Sequence, residues 1–468
     1  MNSGGTSPSL PGYALGPSLF VYAVLAIFLA LRCRSAPGAF VLIAVAFRLG
    51  MSAAPFISFS PSGVGLSWNA LMSCLVIGTG SFIVRRSKML SYALPPVLAL
   101  VCVIAISGLV NDRIPESVET ILKYGYFAIL ALTVHDACRS EGPDPFLGKL
   151  LLVLLLPVVL QLESLGLGVV KASEGDGSAS YIGGYNHEAS FSLLLMATLL
   201  AVSMNQRISI KLQFLVAAVC ALGVILANYR TAMGAMVPMI IALLVVNGMR
   251  KVVKNQQIYA IGVVSLAILC IVPIVLSLFA ERFETLTILL QNPGLPLKDP
   301  GAFTYEERQV MSGRAFIWAE YLKIWAEAPT LQKFVGFGAD AWEDYFNLYA
   351  HNTLVSTVFE FGIAGVSLMV LLWAWMITIA WRCGPPLSWI FVASHLGFTL
   401  LNMATMPFWM IEGLVFYALL CGVSLFAFDL ARRAEGGARE NLPPQPSPPS
   451  GWKQSPSDKA TPGPAVGI

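Results

Sequence analysis

The chain reads as a succession of long apolar runs separated by short polar breaks. A helix that crosses a bilayer needs about 20 predominantly apolar residues. By that measure thirteen stretches qualify: 13–31, 37–57, 65–84, 91–110, 118–135, 147–169, 187–204, 210–228, 231–248, 258–280, 352–380, 386–403 and 407–428. A membrane β-barrel would show short alternating segments instead of unbroken apolar runs. In lipid the backbone must satisfy its own hydrogen bonds, so the pattern predicts an all-α, polytopic transmembrane helical bundle of about 13 spans.

Two regions depart from the pattern. Residues 281–350 form a long polar loop with ten acidic and six basic residues. Between Arg308 and Ala328, the residues Val310, Met311, Ile317, Trp318, Tyr321, Leu322 and Trp325 recur at helical spacing and share one face, before Pro329 ends the run. The expectation is an amphipathic helix lying on or under the outer membrane face of the bundle. From 431 to 468, and most clearly beyond 436, Pro, Gly and Ser dominate without apolar periodicity, which predicts a disordered cytoplasmic tail. The chain thus divides into N-terminal spans (1–280), the large loop (281–350), C-terminal spans (351–430) and the tail (431–468). No repeat of the solenoid type is visible.

Composition narrows the class. Of 468 residues, 56% are hydrophobic and only 12% charged, against about 25% charged in soluble domains. One or two soluble domains are thereby excluded, and a net charge of +3 leaves no footprint for nucleic acid. The eight cysteines lie in apolar runs or beside basic clusters, with no CxxC or zinc-type spacing. Neither a disulfide framework nor a metal site is expected. No basic segment precedes the first apolar run, so no cleavable signal peptide is expected.

The basic residues also orient the chain. One alternating set of short loops and the C-terminal flank carries sixteen Lys and Arg, among them Arg32, Arg85, Lys149, Arg207, Lys251 and Arg432; the opposite loops carry three, Arg113, Lys171 and Arg230. The richer side is cytoplasmic. This puts the N-terminus and the 281–350 loop outside and the C-terminus inside.

Ionisable groups in or beside membrane spans are functional candidates. His351, Arg230, Arg314 and His187 share the outer side, with Lys123 and Glu360 near it. His351-Asn352 precedes a long apolar helix that Asn352 can cap. The positive helix end would keep the imidazole neutral and able to accept a proton; alternatively, His351 is only a polar interfacial residue. Arg230, between two spans, can hold a phosphate bidentately or snorkel to headgroups. Arg314 opens the amphipathic helix, where a bound anion would relieve its conflict with the helix dipole; a salt bridge to Glu306, Glu307 or Asp340 would do the same. His187-Glu188 follows two glycines and opens a span. Arg48 and Lys123 either bind a ligand or pair with Glu163 or another acid.

Taken together, these pieces resemble the bacterial O-antigen ligase and polymerase superfamily. His351-Asn352, then Gly362 and Gly365 at its spacing, is similar to the family signature, with Val366 where ligases usually carry Thr. Asn228-Tyr229-Arg230-Thr231-Ala232, Ser312-Gly313-Arg314 with Trp318 and Gly336-Phe337-Gly338, and Tyr181-Ile182-Gly183-Gly184 through Ser190 resemble further family segments over about residues 180–380. The resemblance implies a GT-C-like, metal-independent, inverting glycosyltransferase of the bacterial inner membrane, with no cofactor and an active site facing the periplasm. It implies an undecaprenyl-diphosphate-linked glycan donor, membrane lipids as surroundings, and lipid A–core or a lipid-linked glycan as acceptor. It also implies a place in lipopolysaccharide or exopolysaccharide biosynthesis. His351 maps onto the family's general base, and Arg230 and Arg314 onto its diphosphate binders. Arg48, Lys123, His187, Glu188, Asn352 and Glu360 are possible accessory residues.

The His-Asn signature is closer to a ligase. None of Arg113, Arg230, Arg282, Arg308 or Arg314 is followed by Gly eleven positions later, as in some polymerases. An odd span count and His187-Glu188-Ala189-Ser190 point toward a polymerase. A lipid-glycan transporter would favour broken helices near the midplane, whereas these polar groups concentrate at one face. The orientation is directly testable: a reporter fused after residue 435 should be cytoplasmic, and one within 285–300 periplasmic. Opposite labelling of either would remove the proposed outer face.

Overall fold

The computed structural model describes residues 9–63, 67–84, 95–172, 179–249, 252–259, 261–263, 265, 266, 269, 287–289 and 291–440. The apolar helices among them are Gly12–Leu31 (α1), Ala36–Ala53 (α2), Trp68–Ile83 (α3), Pro95–Val110 (α4), Ile114–Glu141 (α5), Pro143–Leu154 and Leu156–Leu167 end to end (α6, α7), Glu188–Met204 (α8), Ile210–Leu226 (α9) and Arg230–Met249 (α10). The large loop contributes Arg314–Glu327 (α11), and Thr353–Trp381 (α12), Leu387–Asn402 (α13) and Ile411–Glu440 (α14) complete the bundle. Among the described residues, seven helices are long and apolar enough to cross a membrane and five more are shorter apolar helices, so the chain is a polytopic helical membrane protein. Apart from the two-residue antiparallel pairing of Lys171–Ala172 with Ala179–Ser180, the described elements are helical. Each sequence span falls on one of these helices, except 258–280, which lies mostly outside the described residues. The last helix runs to Glu440, ten residues past the expected end of the spans, because Ala, Arg and Glu in its final turns are good helix formers. Residues 441–468 lie outside the described residues.

Local chemistry starts several helices. Ser35, Ser67 and Ser209 each accept a hydrogen bond from the backbone N–H three residues on (3.3, 3.2 and 3.3 Å), and so satisfy first-turn donors. At the centre stands α8, where every residue from Phe191 to Met204 is buried. It packs on α6, α9, α10 and α14. A helix covered on all sides needs no amphipathic period, which is why its sequence is apolar throughout. The helix ends expected to be cytoplasmic do gather: Glu141 accepts from the Arg34 amide (2.6 Å), Ser35 (2.8 Å) and Lys149 (3.0 Å).

The opposite end is organised by a break in α12. Gly362 has φ 65° and ψ −165° within an otherwise helical run. The carbonyls just before the break turn outward and accept from the loop: Phe337 N–H to Phe359 (3.0 Å) and Gly338 N–H to Glu360 (2.9 Å). Ser107 of α4 also donates to the Glu360 carbonyl (3.0 Å). Gly336, at φ 74°, crosses here backbone against backbone. A Cβ on Gly336 would lie 2.2 Å from the Glu360 carbonyl carbon, and one on Gly362 2.3 Å from that of Phe334. Only glycine fits both positions.

The amphipathic helix forms and opens at Arg314, inside the apolar run that extends from Arg308. Met311, Ser312 and Gly313 have φ of 53°, 58° and 84°, a left-handed turn that a right-handed helix cannot include. It separates α11 from the short helix Tyr305–Gln309. Its apolar face is covered by the chain's own residues. Trp318 Nε1 donates to the Ala350 carbonyl (2.8 Å) and the Tyr321 hydroxyl to that of Leu348 (2.9 Å). Tyr321 also stacks on Phe346 at 3.8 Å. This helix therefore holds the segment that leads into α12.

Gly362→Ala and Gly336→Ala should each cost upward of about 3 kcal/mol, combining a positive-φ penalty with a backbone clash. Gly234→Ala, where nothing lies within 4 Å of the new methyl, should stay within about 1 kcal/mol of wild type. Thermal unfolding in detergent, read by tryptophan fluorescence, separates the two outcomes.

Candidate functional site

His351 sits at the junction built by these contacts. Asn352 caps α12 as expected: its Oδ1 accepts from the amides of Leu354 (2.9 Å) and Val355 (3.2 Å), while its Nδ2 donates to the Met403 carbonyl (3.0 Å). The backbone of His351 is left-handed, φ 52°. Few non-glycine residues adopt this conformation, and it persists where the surroundings over-determine it. Here the Trp318 and Tyr321 bonds on one side and the Asn352 cap on the other do so. The half-buried ring lies 3.9 Å from that of Tyr349, centroid to centroid. Burial first, then the charge of Arg314, then His187, push its pKa down to about 4. Desolvation is the largest of these causes and keeps the ring neutral at neutral pH.

Arg314 opens α11 one turn before Trp318, on the same face, which brings it to His351. The ion pairs considered for it from sequence do not form. Glu307 pairs with Lys298 (2.6 Å), and among the described residues no carboxylate lies within salt-bridge distance of Arg314. Arg314 also acts on Tyr229, whose hydroxyl is pushed up to about 12, chiefly by burial, with Thr405 and Arg314 opposing. Tyr229 meets the His187 ring edge-on at 6.5 Å. Arg230 follows Tyr229 directly and opens α10. His351, Arg314, His187 and Tyr229 thus converge, with Arg230 at the same helix end.

His187 and the other candidates also make contacts of their own. His187 caps α8, its Nδ1 accepting from the Ala189 amide (3.0 Å). Glu188 pairs with Lys171 at 3.2 Å. Glu360 is buried and accepts from Ser356 (2.9 Å). It shares a small pocket with Lys123 and Asp340, where burial pushes the Asp340 carboxyl up and Lys123 draws it down. Arg48 pairs with Glu412 at 3.1 Å, not with Glu163, which accepts from Ser18. Lys123 pairs with Glu119 at 3.0 Å, one turn away on α5. Arg48, Glu412, Lys123, Glu119 and His187 line one cavity of about 390 Å³ at this end of the bundle.

Sequence reasoning missed three aromatic residues here. Tyr229 and Tyr349 flank singled-out residues by one and two positions. Trp409 borders both cavities and meets Tyr349 and Trp342 at 5.8 Å each. Its only signal was an aromatic near the start of the 407–428 span, where interfacial Trp is common. Among the described residues no cluster of three His, Cys, Asp or Glu could hold a metal ion.

A helical bundle with polar groups gathered at one end defines a multi-pass membrane protein. Residues 215–370, from within α9 into α12, match the family model of the O-antigen ligases. That segment, about a third of the chain, holds Arg230, Arg314, His351, Asn352 and Glu360 and is what the chain shares with the O-antigen ligases. No curated protein matches the chain. At the family level the match supports a glycosyltransferase-like membrane enzyme acting on lipid-linked glycans.

The electrostatics give a titration test. Histidine-selective NMR should find the His351 ring neutral down to about pH 5, and Arg314→Gln should raise its pKa without restoring 6.5, since burial remains. The unfolded ring binds its proton first as pH falls below 6.5, so this group makes the fold less stable between pH 6.5 and 4. A ring that titrates near 6.5 in the wild type would show it to be solvated.

Proposed function

We propose that the chain transfers a glycan from an undecaprenyl-diphosphate-linked donor to a hydroxyl acceptor at the periplasmic face of the bacterial inner membrane, as an O-antigen ligase-like enzyme. The observation that carries this reading is the convergence of a neutral histidine and a half-buried arginine, His351 and Arg314, inside the segment that matches the ligases. In this reading the acceptor oxygen attacks the anomeric carbon from the face opposite the diphosphate. The bond from that carbon to the diphosphate oxygen breaks, its electron pair leaves with the diphosphate, and the configuration inverts. His351 takes the acceptor proton as general base. Arg314 and Arg230 bind the diphosphate and stabilise its developing charge. The cap bonds of Asn352 keep the His351 end of α12 in position.

A base with its pKa near 4 is weak at neutral pH. Diphosphate at Arg314 would offset one of the charges that hold the ring down, so donor binding itself would strengthen the base. The alternative bases suit the role less: Glu188 is paired with Lys171 and Glu360 is enclosed. Among the described residues no acidic cluster accompanies the arginines, and in this reading the reaction needs no metal. Lipid A–core as acceptor follows from the ligase-type signature; a second lipid-linked glycan would make the enzyme a polymerase. The division into spans 1–280 and 351–430 around the 281–350 loop is part of the same proposal.

His351→Ala should lower single-turnover transfer by about 10²–10⁴-fold with donor binding largely intact. Arg314→Ala and Arg230→Ala should weaken binding and turnover together, and lysine should rescue only partly because it lacks the planar fork. Transfer with purified lipid-linked donor should continue in EDTA. Near-normal turnover in His351→Ala would reduce the histidine to a structural residue. Activity lost in EDTA and restored by a divalent ion would overturn the metal-free mechanism.

A further inference from the structure

The cavity of about 390 Å³ is not used by the chemistry above. Its volume lies within the range of small-ligand sites. It opens where α2 ends and α3, α5, α8 and α14 begin, the same end of the bundle as His351. Its cations are already neutralised: Arg48 by Glu412 at 3.1 Å and Lys123 by Glu119 at 3.0 Å. Arg48 also donates to Asn69, and Ser52 to Glu412. A diphosphate would have to displace these carboxylates, whereas Arg314 has no carboxylate partner among the described residues. Met51, Pro55, Phe59, Leu122 and Ile411 also line the cavity, but the ion pairs and amides beside them suit a lipid tail poorly. What remains is a neutral ligand rich in hydroxyl groups.

One wall supplies the other half of such a site. Trp409 lines the cavity, and its ring neighbours Tyr349 at 5.8 Å, which lies 3.9 Å from His351. An indole face gives a flat apolar surface to the C–H face of a sugar, while guanidinium, carboxylate and amide groups opposite offer donors and acceptors to its hydroxyls. The aromatic row leads from the cavity to the histidine. Resting on the glycan-transfer reading, we propose that this cavity is a saccharide subsite, binding a pyranose ring of the glycan against Trp409 and the Arg48–Glu412 pair and directing it toward His351. The ring can belong to the donor glycan or to the acceptor.

The test reads binding without transfer, using the full chain in nanodiscs. Three probes are used: lipid-free oligosaccharide released by mild acid from the cell's lipid-linked glycans, lipid-free core oligosaccharide, and sugar-free farnesyl diphosphate. Trp409→Leu removes the stacking face, and Ala70→Leu fills the cavity from α3. Each should weaken at least one sugar probe tenfold or more. Trp409→Phe should weaken it threefold or less. Farnesyl diphosphate affinity should stay within twofold in all three, which also reports that the variants are folded. Loss confined to the released glycan assigns the ring to the donor, and loss confined to core oligosaccharide assigns it to the acceptor. Unchanged sugar affinity in both leucine variants overturns the proposal, as does a parallel loss of farnesyl diphosphate. A wild type that transfers glycan but binds neither oligosaccharide overturns the subsite alone. One that binds sugar but transfers nothing overturns the transfer reading and leaves the occupant of the cavity standing.

Discussion

The His351 end of the bundle depends on one close crossing, that of Gly336 over α12 at its break around Gly362. A helix normally spends its carbonyls on its own amides. At this break the carbonyls of Phe359 and Glu360 accept from residues 337 and 338 instead, while Glu360 also accepts from Ser107 of α4. The loop is thereby fixed to two spans at once. From that anchor the chain continues through Tyr321 and Trp318 contacts to Ala350, and so fixes the position of His351. The glycines of the signature and the histidine eleven residues before Gly362 are parts of one mechanical arrangement.

Burial then does the electrostatic work. The pocket that positions His351 also desolvates it, and Arg314 adds its charge to the same effect. The ring stays neutral without a carboxylate partner. The neighbouring cavity follows the opposite rule, since its cations carry their own carboxylates. Two adjacent sites thus differ in net charge. In the proposed reading this separates the diphosphate from the sugars.

Much of this was legible in the sequence, because hydropathy reports spans directly and lipid admits few alternatives to helices. The grouping of His351, Arg314 and His187 at one end of the bundle was legible from loop charge, and the cap at Asn352 from residue type. The left-handed turn just before α11 was not, because the backbone at Met311 and Ser312 has no side-chain signal comparable to glycine's. Nor was the partner of Arg48. Glu412 lies 364 positions away, and only packing of the first spans against the last brings the two together. The roles of Tyr349 and Trp409 were hidden for the same reason: an aromatic at the edge of a span reads as an interfacial anchor until its neighbours in space are known.

Glycan transfer from a lipid-linked donor is the central claim. It is tested most directly by mass spectrometry of lipid-linked glycans and lipid A–core from cells lacking the chain, side by side with cells expressing it. The account predicts that the deletion leaves lipid A–core unmodified while long glycans accumulate on the polyprenyl carrier. Unchanged glycan on lipid A–core, or lipid-linked glycan held on the cytoplasmic face as for a lost flippase, would contradict it.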